Sequence, residues 1–265
     1  MMIKKVFFCS LIILLLFSLF VYFTQRDLIY FPAKERPDRH LFHADDMEEL
    51  KLTTTDKLSL NAWYKPPVEA RATLLYLHGN AGHIGSRMRI VRQFLSAGFG
   101  VLIVDYRGYG GNKGIANEDG LYIDARTAVQ FLQQKGVSSS HLVIYGESLG
   151  SGVATKMAEE YSSCALILQS PFSSLPDVAR YQYPWIFLPP WDKFDSLSRI
   201  KKIKTPLLIL HGKKDVIVPF KQGEALYHEA NPPKRFIAFA SKGHSDLWGH
   251  PFYNQVLDFI GAHCS

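Results

Sequence analysis

Ser148 is where the chemistry of this 265-residue chain can first be read. It stands at the centre of Gly146-Glu147-Ser148-Leu149-Gly150, a G-x-S-x-G pentapeptide. An apolar run, Leu142-Val143-Ile144-Tyr145, leads into it. The segment that follows puts Val153, Ala154, Met157, Ala158 and Tyr161 on one helical face. Strand, sharp turn and helix together form the setting of a nucleophile elbow, which lifts a serine hydroxyl above the end of a sheet. Glycines at 146 and 150 fit that setting, because a Cβ at either would crowd neighbouring backbone.

A serine hydroxyl becomes a good nucleophile only when a base takes its proton and a third group orients the base. Of the ten histidines, His244 has the right setting. It lies in Ser241-Lys242-Gly243-His244-Ser245-Asp246, between the last strand-like run and the last helix-like one. His78 and His211 end apolar runs beside glycine, where packing or a backbone hydrogen bond is the ordinary role. For the acid, Asp215 in His211-Gly212-Lys213-Lys214-Asp215 stands just past an apolar run. The rivals are Asp105, Asp192, Asp195 and Asp246. The order Ser148, Asp215, His244 places nucleophile, acid and base in the sequence that separates one triad architecture from the others.

Acyl transfer also needs donors for the developing oxyanion. The backbone N–H of Leu149 is one candidate. The second is the N–H of Asn80 in His78-Gly79-Asn80-Ala81-Gly82, where backbone geometry matters more than the side chain. No metal or cofactor is implied. His228-Glu229 lacks the second histidine of a helical zinc pair, and Gly108-Tyr109-Gly110-Gly111 lacks the spacing of a dinucleotide loop.

These residues need a frame. Short apolar runs at 73–77, 100–104, 142–145, 165–169, 206–210 and 236–239 alternate with amphipathic stretches at 86–97, 118–135 and 251–263. Uncharged runs of that kind indicate parallel strands covered on both faces. A hairpin at 48–53 and 58–64 supplies antiparallel edge strands. The fold class read from this is α/β, with a mostly parallel central sheet and helices on both faces.

The alternation breaks at about 171–204, where five prolines are interleaved with aromatics. Long insertions in compact domains are commonly binding segments. Read as a short cap, this stretch offers Phe172, Tyr181, Trp185, Phe187 and Trp191 for an apolar acyl pocket.

Residues 6–23 form an uncharged apolar run long enough to cross a bilayer core. The sequence that follows offers no small-x-small cleavage site, which favours an uncleaved anchor over a signal peptide. The expected division is an anchor at 1–24, a connector at 25–40 and one catalytic domain at 41–265. Lys4 and Lys5 precede the run, and Arg26, Lys34, Arg36 and Arg39 follow it, so the positive-inside count is nearly tied. The catalytic domain is assigned to the extracytoplasmic side, periplasmic or lumenal. The net charge of +6 is shared evenly between the first forty residues and the rest, too little for nucleic acid. The basic run at Arg199, Lys201, Lys202 and Lys204 reads as a solvated face. Three cysteines make no disulfide framework, and a bridge between Cys164 and Cys264 has no support in the sequence.

With those residues in view, the chain resembles the membrane-anchored serine hydrolases of the α/β-hydrolase superfamily. It is most similar to the abhydrolase-domain and fungal bud-emergence type, with a serine-aminopeptidase-like core. The similarity is carried by Gln25-Arg26-Asp27-Leu28-Ile29-Tyr30-Phe31-Pro32, His78-Gly79-Asn80-Ala81-Gly82, Asp105-Tyr106-Arg107-Gly108-Tyr109-Gly110, Ser170-Pro171-Phe172, Phe194-Asp195-Ser196-Leu197 and His244. It implies an N-terminal transmembrane anchor, the triad Ser148–Asp215–His244, and hydrolysis of lipid-like esters or thioesters. One branch of the group removes palmitoyl groups from proteins and carries an N-terminal cysteine cluster, whereas here Cys9 stands alone. An amidase or aminopeptidase, or a catalytically silent binding protein held at the membrane, are the competing expectations.

Overall fold

A computed structural model describes residues 2–185 and 188–264. Eight strands form one sheet: β1 (Glu48–Thr53), β2 (Ser59–Lys65), β3 (Thr73–Leu77), β4 (Gly100–Val104), β5 (Leu142–Glu147), β6 (Ala165–Gln169), β7 (Leu207–Gly212) and β8 (Lys234–Phe239). Their order across the sheet is β8-β7-β6-β5-β3-β4-β2-β1. The first two strands are antiparallel, and β2 also meets β4 antiparallel. The other neighbours are parallel. Strands β3, β4, β5, β6 and β7 are buried along nearly their whole length, as their largely apolar sequences require.

Period-two alternation sends successive side chains of one strand into two cores. Leu142 and Ile144 of β5 join the core under α3 (Glu118–Gln134) and α4 (Leu149–Glu160). Val143 and Tyr145 join the opposite core, under α2 (Met88–Ser96) and α8 (His250–His263), while α7 (Phe220–Glu229) sends Leu226 into the first. Helix α2 is preceded by a 3₁₀ turn, Ile84–Arg87, so the amphipathic stretch expected at 86–97 is divided in two.

The N-terminal helix α1 (Met2–Ile29) runs past the expected end of the anchor and through the start of the connector. It is long and apolar enough to cross a membrane, and most of its large apolar side chains are exposed. Its last turn does not float free. Phe31–Pro32 pairs in parallel with Ala81–Gly82. The Phe31 N–H donates to the Asn80 carbonyl (2.9 Å), and the Ala33 N–H to that of Gly82 (3.0 Å).

The insertion after β6 includes α5 (Leu175–Gln182) and α6 (Ser196–Ile200). Ser174 caps α5 by accepting from the Asp177 N–H, and Asp195 caps α6 by accepting from the Ser198 N–H. The basic run that starts in the last turn of α6 is engaged at the surface. Arg199 pairs with Glu118 and Glu159, Lys202 with Glu159 and Lys201 with Glu229.

Candidate active site

Ser148 joins β5 to α4 at φ 50° and ψ −117°, a left-handed conformation for a residue that is not glycine. Such a conformation costs on the order of 1–3 kcal/mol and persists only where surrounding structure enforces it. Close packing does so here. A Cβ on Gly150 would lie 2.0 Å from the Leu77 carbonyl oxygen, and one on Gly146 would lie 2.5 Å from that of Gly150. The Ser148 N–H donates to the Gln169 carbonyl (2.9 Å), which ties the turn to β6.

Two other loops at the same edge of the sheet bring His244 and Asp215 to Ser148. The Ser148 Oγ is 2.9 Å from His244 Nε2, and His244 Nδ1 is 2.7 Å from Asp215 Oδ2. Asp215 is buried. Its Oδ1 accepts from the N–H groups of Ile217 (2.9 Å) and Val218 (2.8 Å). Burial pushes the Asp215 carboxyl up, but hydrogen bonds from His211 and His244 outweigh it and hold the group well below the usual carboxylate range. The aspartate therefore stays ionised and favours the tautomer that leaves His244 Nε2 free to accept from the serine.

All four loops involved leave the C-terminal ends of strands: β3 for Asn80, β5 for Ser148, β7 for Asp215 and β8 for His244. Strand order reverses around β5 and β3, the place where open α/β sheets form a crevice. Asn80, Ser148 and Leu149 line a cavity of about 410 Å³ there. The rest of its wall is mostly apolar, including Phe172, Leu175, Val178, Ala179, Val216 and Val218, with Gln182 and Tyr183 also lining it.

The comparisons with known proteins bear on the fold and the family. Residues 68–192 match the family described as serine aminopeptidase, S33. Protein bem46 of Schizosaccharomyces pombe is 34% identical over 273 residues, covering 95% of this chain and 90% of its own. The chain belongs to the α/β-hydrolases of the bem46/abhydrolase type. Lysophosphatidylserine lipase ABHD12 of Mus musculus is 36% identical over 211 residues, which are 70% of this chain and 53% of that one. The esterase Pf2001 of Pyrococcus furiosus, 20% identical, shares the fold with a TM-score of 0.76 over 89% of this chain and 98% of that one.

In this hydrolase one of the described cap aromatics is where the sequence reading put it and three are not. Phe172 is buried and lines the cavity. Tyr181, Trp185 and Trp191 do not, and all three are exposed. Trp185 packs on Phe17 with ring centroids 5.7 Å apart, and Trp191 on Tyr22 at 5.1 Å. Phe187 lies outside the described residues. The reason is amphipathicity: Trp185 and Trp191 lay part of their surface on α1 and keep the rest outward, while the smaller aliphatic side chains of α5 line the cavity.

Sequence reasoning also passed over residues that brace the site. His211, set aside as a packing residue, is wholly buried with Nε2 3.2 Å from Asp215 Oδ2 and 3.1 Å from the Val218 carbonyl. The i,i+4 spacing from Asp215 was the available signal. Arg87 reaches both Glu147 carboxylate oxygens and also donates to the Ala81 carbonyl (2.6 Å), so it joins the elbow to the Asn80 loop. Asn80 itself does more with its side chain than the backbone argument allowed, since its Nδ2 donates to the Ile29 carbonyl (2.8 Å). No local pattern marks these last two. Among the described residues no group of His, Cys, Asp and Glu has the arrangement of a metal site.

Proposed function

We propose that this chain is a membrane-anchored serine hydrolase that cleaves carboxylic esters or thioesters of acyl or lipid-like substrates. The observation that carries the reading is the hydrogen-bonded chain Ser148–His244–Asp215 opening into an apolar cavity. Ser148 Oγ attacks the acyl carbonyl carbon while His244 Nε2 takes the hydroxyl proton, and Asp215 stabilises the imidazolium. The N–H groups of Leu149, at the start of α4, and Asn80 stabilise the oxyanion. His244 then protonates the departing alkoxide or thiolate, leaving Ser148 acylated. Water, deprotonated by the same histidine, attacks the acyl-enzyme and restores the serine.

The cavity favours an ester or thioester over a peptide with a free amino group. The described residues that line it include no Asp or Glu to pair with an ammonium. A serine-aminopeptidase reading thus lacks its recognition element.

The bridge between Cys164 and Cys264 supports placing the catalytic domain on an oxidising side of the membrane, periplasmic or lumenal. The sequence left that pairing open. The fold brings the strand β6 border and the end of α8 together.

The test is fluorophosphonate labelling of the full chain in detergent beside Ser148→Ala, followed by esters from two to sixteen carbons. Labelling that disappears in the variant, with turnover rising with chain length, is the expected result. Labelling that persists in Ser148→Ala places the nucleophile elsewhere. Turnover that ignores chain length removes the acyl preference.

A further inference from the structure

The wall of the Ser148 cavity includes residues from outside the catalytic domain. Leu28 and Ile29 of α1 and the adjoining Phe31 form part of it. A second, smaller hollow of about 80 Å³ follows α1 away from the site, lined by Ser18, Val21, Tyr22 and Gln25 on the helix and by Ala179, Tyr183 and Leu188 on the cap. The two hollows share Leu28, Ile29, Ala179, Tyr183 and Pro190. On α1 the lining positions 18, 21, 22, 25, 28 and 29 recur at three- and four-residue steps, so they form one stripe along one face.

The serine and glutamine side chains on this path are already engaged. Ser18 Oγ donates to the Leu14 carbonyl (2.8 Å), and Gln25 Nε2 to that of Tyr22 (2.7 Å). Gln25 Oε1 accepts from the Trp191 N–H (2.6 Å), and Gln182 Nε2 donates to the Val216 and Ile217 carbonyls at 2.7 and 2.8 Å. With their polar atoms turned to backbone, these side chains leave the path a hydrocarbon surface, and a polar occupant would find few partners there.

We propose that α1 and the cap together form an acyl-chain site running from Ser148 into the membrane leaflet nearest the catalytic domain, whose occupant is the chain of a membrane lipid ester. The proposal rests on reading Ser148 as the nucleophile and α1 as the membrane span. Helix α1 has 28 residues, roughly 42 Å at about 1.5 Å per residue, against a hydrocarbon core of roughly 30 Å. Lys4 and Lys5 hold its start at the far head groups, so its last turns stand at and above the near ones. The stripe from Ser18 to Ile29 covers about 16 Å, from within the near leaflet up to the site. Trp185, Trp191 and Tyr183 stand on this side of the cap with much of their surface exposed, which suits contact with lipid. The lipid chain thus keeps contact with bilayer or apolar wall while its carbonyl reaches Ser148, and exposure of the chain to water is avoided.

The experiment uses the full chain in phospholipid nanodiscs and a sixteen-carbon alkyl fluorophosphonate with a diazirine near the end of its chain. The probe bonds Ser148 Oγ to phosphorus with loss of fluoride, and irradiation then marks whatever the chain end touches. Crosslinks on α1 between Ser18 and Leu28 are expected. Crosslinks confined to the catalytic domain away from α1, or to a second copy of the chain, overturn the conduit while Ser148 labelling leaves the hydrolase reading standing. No labelling of Ser148 overturns both. A second measurement uses Val21→Trp, which fills the distal hollow. The ratio of kcat/KM for a sixteen-carbon ester to that for a four-carbon ester is expected to fall at least tenfold, and an unchanged ratio rejects the path.

Discussion

At Ser148 the backbone and the side chain serve one purpose. The left-handed turn is held by Gly146 and Gly150, where a Cβ would collide with backbone, and it aims Oγ at His244 Nε2. Ser148→Ala should abolish fluorophosphonate labelling and lower kcat by roughly a thousandfold or more. The Tm should hardly move, since Ala fits the same turn, and a large Tm loss would count against a purely chemical role. A second residue-scale prediction concerns Asp105, buried under the Asn80 loop. Its Oδ1 accepts from the Ile84 N–H (2.9 Å) and its Oδ2 has no hydrogen-bond partner among the described residues. Burial pushes this carboxyl up to about 7, against the pull of the Ile84 amide and Arg87. The neighbouring His78, 3.9 Å away at Nε2, is held down to about 3, chiefly by its own burial. An acid with a raised folded pKa binds its proton more tightly in the native state than when unfolded, so stability falls as pH rises between about 4 and 7. Asp105→Asn keeps an acceptor for Ile84 and removes the titration. Its Tm relative to wild type should therefore climb from pH 5 to pH 8, and a constant difference would refute the assignment.

At the scale of elements, the end of α1 and the Asn80 loop behave as one unit. Phe31–Pro32 pairs with Ala81–Gly82, the Asn80 carbonyl accepts from the Phe31 N–H and the Tyr109 hydroxyl, and the Asn80 amide donates to Ile29. Helix position is therefore transmitted to the backbone that faces Ser148. Asn80→Ala removes one bond, worth about 1 kcal/mol, and loosens the loop. The expected outcome is a fall in kcat of about tenfold, equivalent to about 1.4 kcal/mol in the transition state, with little change in KM for a short ester. A Tm shift with unchanged kcat would make the contact merely structural.

For the whole molecule, the long-range tie is the disulfide between Cys164 and Cys264, across a sequence separation of 100. It fastens α8 to the border of β6, and α8 follows directly on the His244 loop. The chain-entropy account gives about 4.7 kcal/mol for a loop of this size, and about 2–4 kcal/mol is typical in practice. Cys264→Ser should lower the Tm by about 5–10 °C. Non-reducing gel electrophoresis after alkylation should show both thiols blocked in the wild-type chain from intact membranes. Free thiols there would argue for a reducing compartment and against an extracytoplasmic catalytic domain.

The sequence alone determined what is written locally. Apolar runs of strand length alternate with helical periodicity, which sufficed for the order of β3, β4, β5 and β6 and for the helices between them. The glycines around Ser148, the chain order Ser148, Asp215, His244 and the uncharged run at 6–23 were legible for the same reason. Tertiary structure decided whatever depends on residues far apart meeting. It turned Trp185 and Trp191 away from the cavity and onto α1, set Arg87 and His211 as braces, paired Cys164 with Cys264, and made Leu28 and Ile29 a wall of the site. A periodic pattern states which face of an element is apolar. It does not state which distant surface that face will cover, because that choice is made by packing among all the elements at once.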